Sequence, residues 1–279
     1  MNELGSQHTD ERTADAVVRY KGPRRVIVEL RDLNAILSTV GALHALLLGV
    51  FIIGIVLDPR TVGGEPVWLK PAKFAASIAL FTTTLGWIGY HLPVSERTLR
   101  RASIGIAATA LLEIILISWQ AGRGVESHFN TTTIFDQAVY VIMGVGIVAM
   151  TAFVAWLLVR SWHREFGVTP AFAWGLRLGI ALFVIGSLEG GVMVMLNTSV
   201  VGSGGIIPVV GWVLSGDFRL AHFVGLHALQ LLPLVGYLAA VAAERDRLDR
   251  PARVVFLVGG GYALVLLAVF VHALAAASL

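Results

Sequence analysis

Five ionisable side chains each interrupt a long apolar run: Glu113, Glu189, His222, His227 and His272. Charged groups inside a bilayer cost about 2.5–3.5 kcal/mol apiece on insertion scales, so each is a candidate functional residue. Carboxylates and imidazoles together suit three kinds of chemistry. They can ligate a borderline or hard cation, opposed imidazoles on neighbouring helices can ligate haem iron, and acids beside imidazoles can move protons. His44 also lies within an apolar run, whereas His91 and His163 fall at run ends and read as interfacial.

The apolar runs are the elements that must position these groups. The chain has 279 residues, 56% hydrophobic and 14% charged, with a mean hydropathy of +0.78; soluble domains carry about 25% charged residues. Runs of about 20 apolar residues recur, each long enough to cross roughly 30 Å of hydrocarbon. They predict seven spans at 33–57, 73–93, 102–120, 137–159, 172–196, 219–243 and 254–277. The fold class is therefore all-α, a polytopic transmembrane bundle of about seven helices over 33–279. Residues 1–32 are polar, lack the apolar run of a signal peptide and read as a cytoplasmic tail.

Lysine and arginine are retained on the cytoplasmic side of membranes. Fifteen of the 21 fall in segments 1–32, 94–101, 160–171 and 244–253, and five (Arg60, Lys70, Lys73, Arg123 and Arg219) fall on the opposite side. The expected topology is N-terminus in and C-terminus out, in the cell membrane. Arg177 lies near the cytoplasmic end of span five, where a long side chain can snorkel.

In that topology the five acids and histidines occupy one stratum, roughly 5–12 Å below the outer surface at 1.5 Å per residue. At 100° per residue, Arg219, Gln230 and His227 lie about 60°, 80° and 140° from His222, one polar stripe on span six. Thr109, Glu113 and Gln120 form a second stripe on span three. Such stripes face a bundle interior or a water-filled cavity rather than lipid. The loop above span three adds Arg123, Glu126, Ser127, His128 and Asn130 at the expected cavity mouth. Ser127, Asn130 and Thr131 also suit a plain turn into span four. Lys70 and Lys73 fall at the outer boundary, either snorkelling or neutralising cavity acids.

Other patterns have bland readings. Gly175 with Gly179, and Gly186 with Gly190, are small-xxx-small pairs that permit close helix packing. Most tryptophans, Trp68, Trp162 and Trp212 among them, fall near span ends as interfacial anchors. The outer loops 58–72 and 197–218 are Gly-rich and semi-apolar, and Ile206 to Leu214 can dip into the membrane or lie on it.

The absence of cysteine excludes disulfides, thiolate metal sites and covalently attached haem. There is no phosphate-binding glycine loop, no H-E-x-x-H, no G-x-S-x-G and no dinucleotide fingerprint. No lysine follows Lys73, so a retinal Schiff base in the last helix is excluded. Span seven holds only His272, which weakens a likeness to seven-helix zinc hydrolases. Basic residues flank spans without a patch of interleaved aromatics, so nucleic acid is not an expected partner.

Three segments, Trp68-Leu-Lys70-Pro-Ala-Lys73-Phe74, the stretch from Glu113 to Asn130 ending Ser127-His128-Phe129-Asn130, and Asp217-Phe-Arg219-Leu-Ala-His222-Phe-Val-Gly225-Leu-His227-Ala-Leu-Gln230, resemble a family of uncharacterised bacterial multipass membrane proteins. The resemblance implies the fold and the choice of residues, and no mechanism.

Three functional readings follow. The first is a binding or transport protein whose outward-facing cavity, lined by the five residues above, holds a metal ion, haem b or a small polar solute. The second is an intramembrane metal-dependent enzyme, hydrolase or oxidoreductase, in which an acid moves protons. The third is a structural or regulatory subunit whose polar band serves packing. Membrane lipid is the expected partner, with a small solute or metal ion in the cavity, and a homo-oligomer is compatible with the sequence.

Overall fold

The computed structural model describes residues 33–196, 198–200, 206–207, 212–213 and 216–277. The polar tail 1–32 and parts of the 197–218 loop lie outside the described residues, so the stretch from Ile206 to Leu214 is seen only at Ile206–Ile207 and Trp212–Val213.

Among the described residues, seven helices follow one another: α1 (Ala35–Leu57), α2 (Leu69–His91), α3 (Glu96–Arg123), α4 (Ile134–Ser161), α5 (Pro170–Leu196), α6 (Phe218–Glu244) and α7 (Pro251–Ala277). Two short antiparallel hairpins sit in the connections: β1 (Thr61–Val62) with β2 (Glu65–Pro66), and β3 (Ile206–Ile207) with β4 (Trp212–Val213). The first turns through Gly63 and Gly64, both at positive φ, the backbone a two-residue hairpin turn demands.

The helices match the expected spans and overrun several of them. Helix α3 starts at Glu96 because the Ser95 hydroxyl accepts from Thr98 N, and it ends where Gly124 adopts the left-handed conformation at φ 71°. Its 28 residues reach about 42 Å, so both ends project past roughly 30 Å of hydrocarbon into the headgroup layer. Asn34, Thr133 and Asp217 likewise cap α1, α4 and α6.

Six of the seven helices are long and apolar enough to cross a membrane. The seventh, α2, carries Lys70, Lys73 and three successive threonines. It tolerates them because it is surrounded by protein: α2 packs on α1, α3 and α6, and its Phe81 stacks on Phe183 of α5 at 5.1 Å. Thr82 is fully buried and returns its hydroxyl to the Ile78 carbonyl at 2.8 Å. The chain is thus an all-α, multipass membrane protein.

Helices α1 to α4 pack consecutively, with α1 also touching α3, while α5, α6 and α7 form a second group in mutual contact. The groups meet through α2 against α6 and α4 against α5. Leu37, Leu85, Ile106, Val154, Leu176 and Leu229 belong to one continuous core. Leu46, Val56, Val145, Leu188 and Leu267 point outward, as a lipid-facing surface requires.

The glycine pairs of α5 have their expected packing role, and their partner is α6. A Cβ on Gly186 would lie 2.4 Å from Gly225 Cα, and one on Gly175 would lie 2.5 Å from the Leu232 carbonyl oxygen. This close backbone approach fixes α6, and with it His222, against α5.

Candidate functional site

Helix α3 turns Glu113 inward, leaving it 1% exposed. Burying a carboxylate this far from water is costly unless it is paired or protonated. The group that approaches it comes from outside the helix: His128 Nε2 lies 3.5 Å from Glu113 Oε1. At this separation the two are neighbours without hydrogen-bond alignment, an ion pair only when the imidazole is protonated, and Oε1 has no hydrogen-bond partner among the described residues.

The loop 124–133 folds back so that His128 can reach α3. After Gly124, Val125 N donates to the Gln120 carbonyl at 3.1 Å, and Phe129 takes a positive φ of 58°. Asn130 holds the turn, donating from Nδ2 to the Glu126 carbonyl at 2.9 Å and accepting from Thr132 N at 3.1 Å. Asn130 therefore has the turn-forming role, while the cap of α4 is Thr133, whose hydroxyl accepts from Asp136 N.

The imidazole is oriented from its other side. Ser127 Oγ and His128 Nδ1 are 3.0 Å apart, and Ser127 is 3% exposed. Phe74 of α2 lies 5.3 Å from the ring and Tyr140 of α4 lies 6.4 Å from it. The Tyr140 hydroxyl is buried with no partner among the described residues. Burial holds the His128 pKa below the usual histidine value; Glu113 pulls it up and Lys70 pushes it down. The ring is therefore neutral at neutral pH.

A small pocket of about 50 Å³, bordered by Lys70, Glu126 and Ser127, opens beside this group. Hydroxyl, imidazole and carboxylate thus form a chain of polar atoms from the pocket to Glu113. Lys70 Nζ lies 3.5 Å from Glu126 Oε2, and Lys73 Nζ lies 3.5 Å from Glu65 Oε1. Both lysines pair with loop acids at the boundary rather than snorkelling alone.

The mouth is latched. Arg123 donates to Gln120 and to Asp136, Gln120 Nε2 donates to Asp136 Oδ1 at 2.9 Å, and the Thr133 hydroxyl donates to Asp136 Oδ2 at 2.6 Å. A second clasp joins α1 to α3: Arg60 pairs with Asp58 at 2.7 Å and donates to the Gly122 carbonyl at 3.0 Å. Asp58 also accepts from Trp68 Nε1 at 2.9 Å, so Trp68 braces this end of the bundle. The hydrogen bonds from Arg60 and then Trp68 hold the Asp58 carboxyl well below the usual carboxylate range.

The other expected site residues lie elsewhere. Glu189 on α5 is buried with Oε2 unpartnered, and His222 Nδ1 lies 2.7 Å from the Gly186 carbonyl oxygen, against the glycine face of α5. His227 packs its ring edge to face on Phe223 at 4.1 Å. His272 is exposed on α7. Arg219 pairs with its own cap, Asp217, at 2.6 Å, and Gln230 Nε2 donates to Thr84 Oγ1 at 3.5 Å. Among the described residues, no hydrogen bond, ion pair or ring contact joins Glu113 or Glu189 to His222, His227 or His272.

The contacts of Glu113 are thus with the 124–133 loop, and those of His222 are with α5. Equal depth does not make helices neighbours: α3 packs on α1, α2 and α4, whereas α5 packs on α4, α6 and α7. The histidine that meets Glu113 comes from the loop and not from a span. Among the described residues, no three His, Asp or Glu side chains are grouped so as to hold a metal ion. Sequence reasoning missed Tyr140 as a wall of the site because it lies in an apolar run with nothing in its spacing to single it out, and it gave Phe74 no place beside His128. No protein-family model, curated protein or solved structure matches this chain.

Proposed function

We propose that this polytopic membrane protein is a binding or transport protein of the cell membrane that takes a small polar solute at Glu113. The carrying observation is the buried, unpartnered Oε1 of Glu113, set 3.5 Å from a neutral imidazole and beneath a latched loop. Such an acceptor matches an amine or another hydrogen-bond donor, which would satisfy the carboxylate that the protein leaves unsatisfied. The pocket of about 50 Å³ is lined by Ser127 and does not itself reach Glu113; it is far below the roughly 300–1,000 Å³ of drug-sized sites, so a solute entering through it has only a few non-hydrogen atoms. Ser127 and His128 supply its polar path, or that of a proton, to the carboxylate.

A metal ion or haem b fits less well. Open metal sites use three protein ligands, and no such group of His, Asp and Glu occurs among the described residues. Nor does the structure support opposed histidines for haem, since His227 packs on Phe223 and His272 is exposed.

The test is a thermal-unfolding screen of the detergent-purified protein against small amines, guanidinium, amino acids and sugars, with metal analysis and a visible spectrum of the same sample. A small amine should raise Tm in the wild type and not in Glu113→Gln. Stoichiometric metal, a Soret band, or equal stabilisation of both proteins would contradict the reading.

A further inference from the structure

The end of the bundle opposite the 124–133 loop has its own opening. A cleft of about 470 Å³ runs between the first turns of α5 and α7 and the last turn of α6. This volume falls within the roughly 300–1,000 Å³ of ordinary ligand sites. Its walls are Pro170, Ala171, Ala240 and Ala243, and its rim carries Arg250, Arg253 and one acid, Glu244.

The rim arginines are exposed, and among the described residues neither has an ion-pair partner. Asp246 and Asp249 belong to the same connection but do not line the cleft. The N-terminal ends of α5 and α7 add partial positive charge at the same opening.

We propose that this cleft binds one anionic phospholipid, its phosphate held by Arg250 and Arg253 and an acyl chain lying on the proline and alanine walls. Three properties select that occupant over a soluble anion. The walls are apolar and would repel a free anion, the cleft has the volume for a chain segment, and it sits at the ends of 27-residue helices, which at about 40 Å outrun roughly 30 Å of hydrocarbon. Two unpaired arginines give the charge complementarity that a zwitterionic lipid would not reward.

Native mass spectrometry of the detergent-purified protein tests this with added phosphatidylglycerol or phosphatidylcholine of equal chain length. The wild type should retain phosphatidylglycerol about tenfold better, and Arg250→Gln/Arg253→Gln should fall to the phosphatidylcholine level. Ala243→Trp, which fills the cleft and keeps both arginines, should also lose the preference, so the test survives a poorly folding double variant. Equal retention of the two lipids by the wild type, or an undiminished preference in either variant, would overturn the proposal.

Discussion

His128 Nε2 stands 3.5 Å from Glu113 Oε1 although the two residues belong to different elements, one a loop and the other a membrane-spanning helix. The relationship depends on the left-handed Gly124, the positive φ of Phe129 and the Asn130 turn, which together fold the loop back over α3. It also depends on Arg123, which ties the end of α3 to the start of α4 through Asp136.

That latch makes a prediction about the loop. In Asp136→Ala, Gln120, Arg123 and Thr133 all lose their shared acceptor, and the chain after Arg123 is released. Limited trypsin digestion should cut after Arg123 in the variant while leaving the wild type intact under the same conditions. Equal resistance would show that the loop is held by other contacts.

The neutral, buried His128 sets a pH dependence. Its folded pKa lies below the unfolded value of about 6.5, so as pH falls the unfolded chain binds the proton first. The stability it contributes is present above about pH 6.5 and is lost as pH falls through the window below it. Asp58 does not confuse the measurement, because its lowered pKa removes stability only in stronger acid, below its unfolded value of 3.8. Tm recorded from pH 8 to 5 should fall in the wild type and fall less in His128→Phe; parallel curves would count against the buried neutral ring.

The α5–α6 contact should be intolerant of side chains at one face only. Gly186→Val places atoms against the Gly225 backbone and should cost about 3 kcal/mol or prevent folding. Gly191→Val, with nothing within 4 Å of its Cβ, should change stability by less than about 0.5 kcal/mol. Thermal unfolding of both in the same detergent checks the pair, and similar losses would place the close contact elsewhere.

Seven helices were legible in the sequence because hydrophobic length is a one-dimensional property and each run declares itself without its neighbours. The packing faces of α5 were legible for a related reason, since Gly175, Gly179 and Gly186 mark where backbones touch. Side-chain convergence was not legible. The depth of Glu113, Glu189 and the three span histidines follows from residue count, but which of them meet depends on helix neighbours, and α3 and α5 have different ones. His128 was placed at the mouth as a loop residue, yet its descent to Glu113 rests on two positive-φ residues whose conformations a sequence does not announce.

Basic residues flank one set of helix ends by fifteen to five, which predicts a cytoplasmic N-terminus and an extracytoplasmic C-terminus. Alkaline phosphatase fused after Leu279 should be active, and the same reporter fused after Arg247 should be silent. The reverse pattern would move the Glu113 site to the cytoplasmic side and the arginine-rimmed cleft to the outer leaflet.

The central claim is that Glu113, rather than the second buried acid Glu189, receives the solute. Binding isotherms for the most stabilising amine, measured on the wild type, Glu113→Gln and Glu189→Gln, test it most directly. The account predicts that Glu113→Gln weakens binding by at least about tenfold, the loss of one charge-assisted hydrogen bond. Glu189→Gln should stay within about a factor of two of the wild type. Equal affinity in wild type and Glu113→Gln, or a loss confined to Glu189→Gln, would contradict the account.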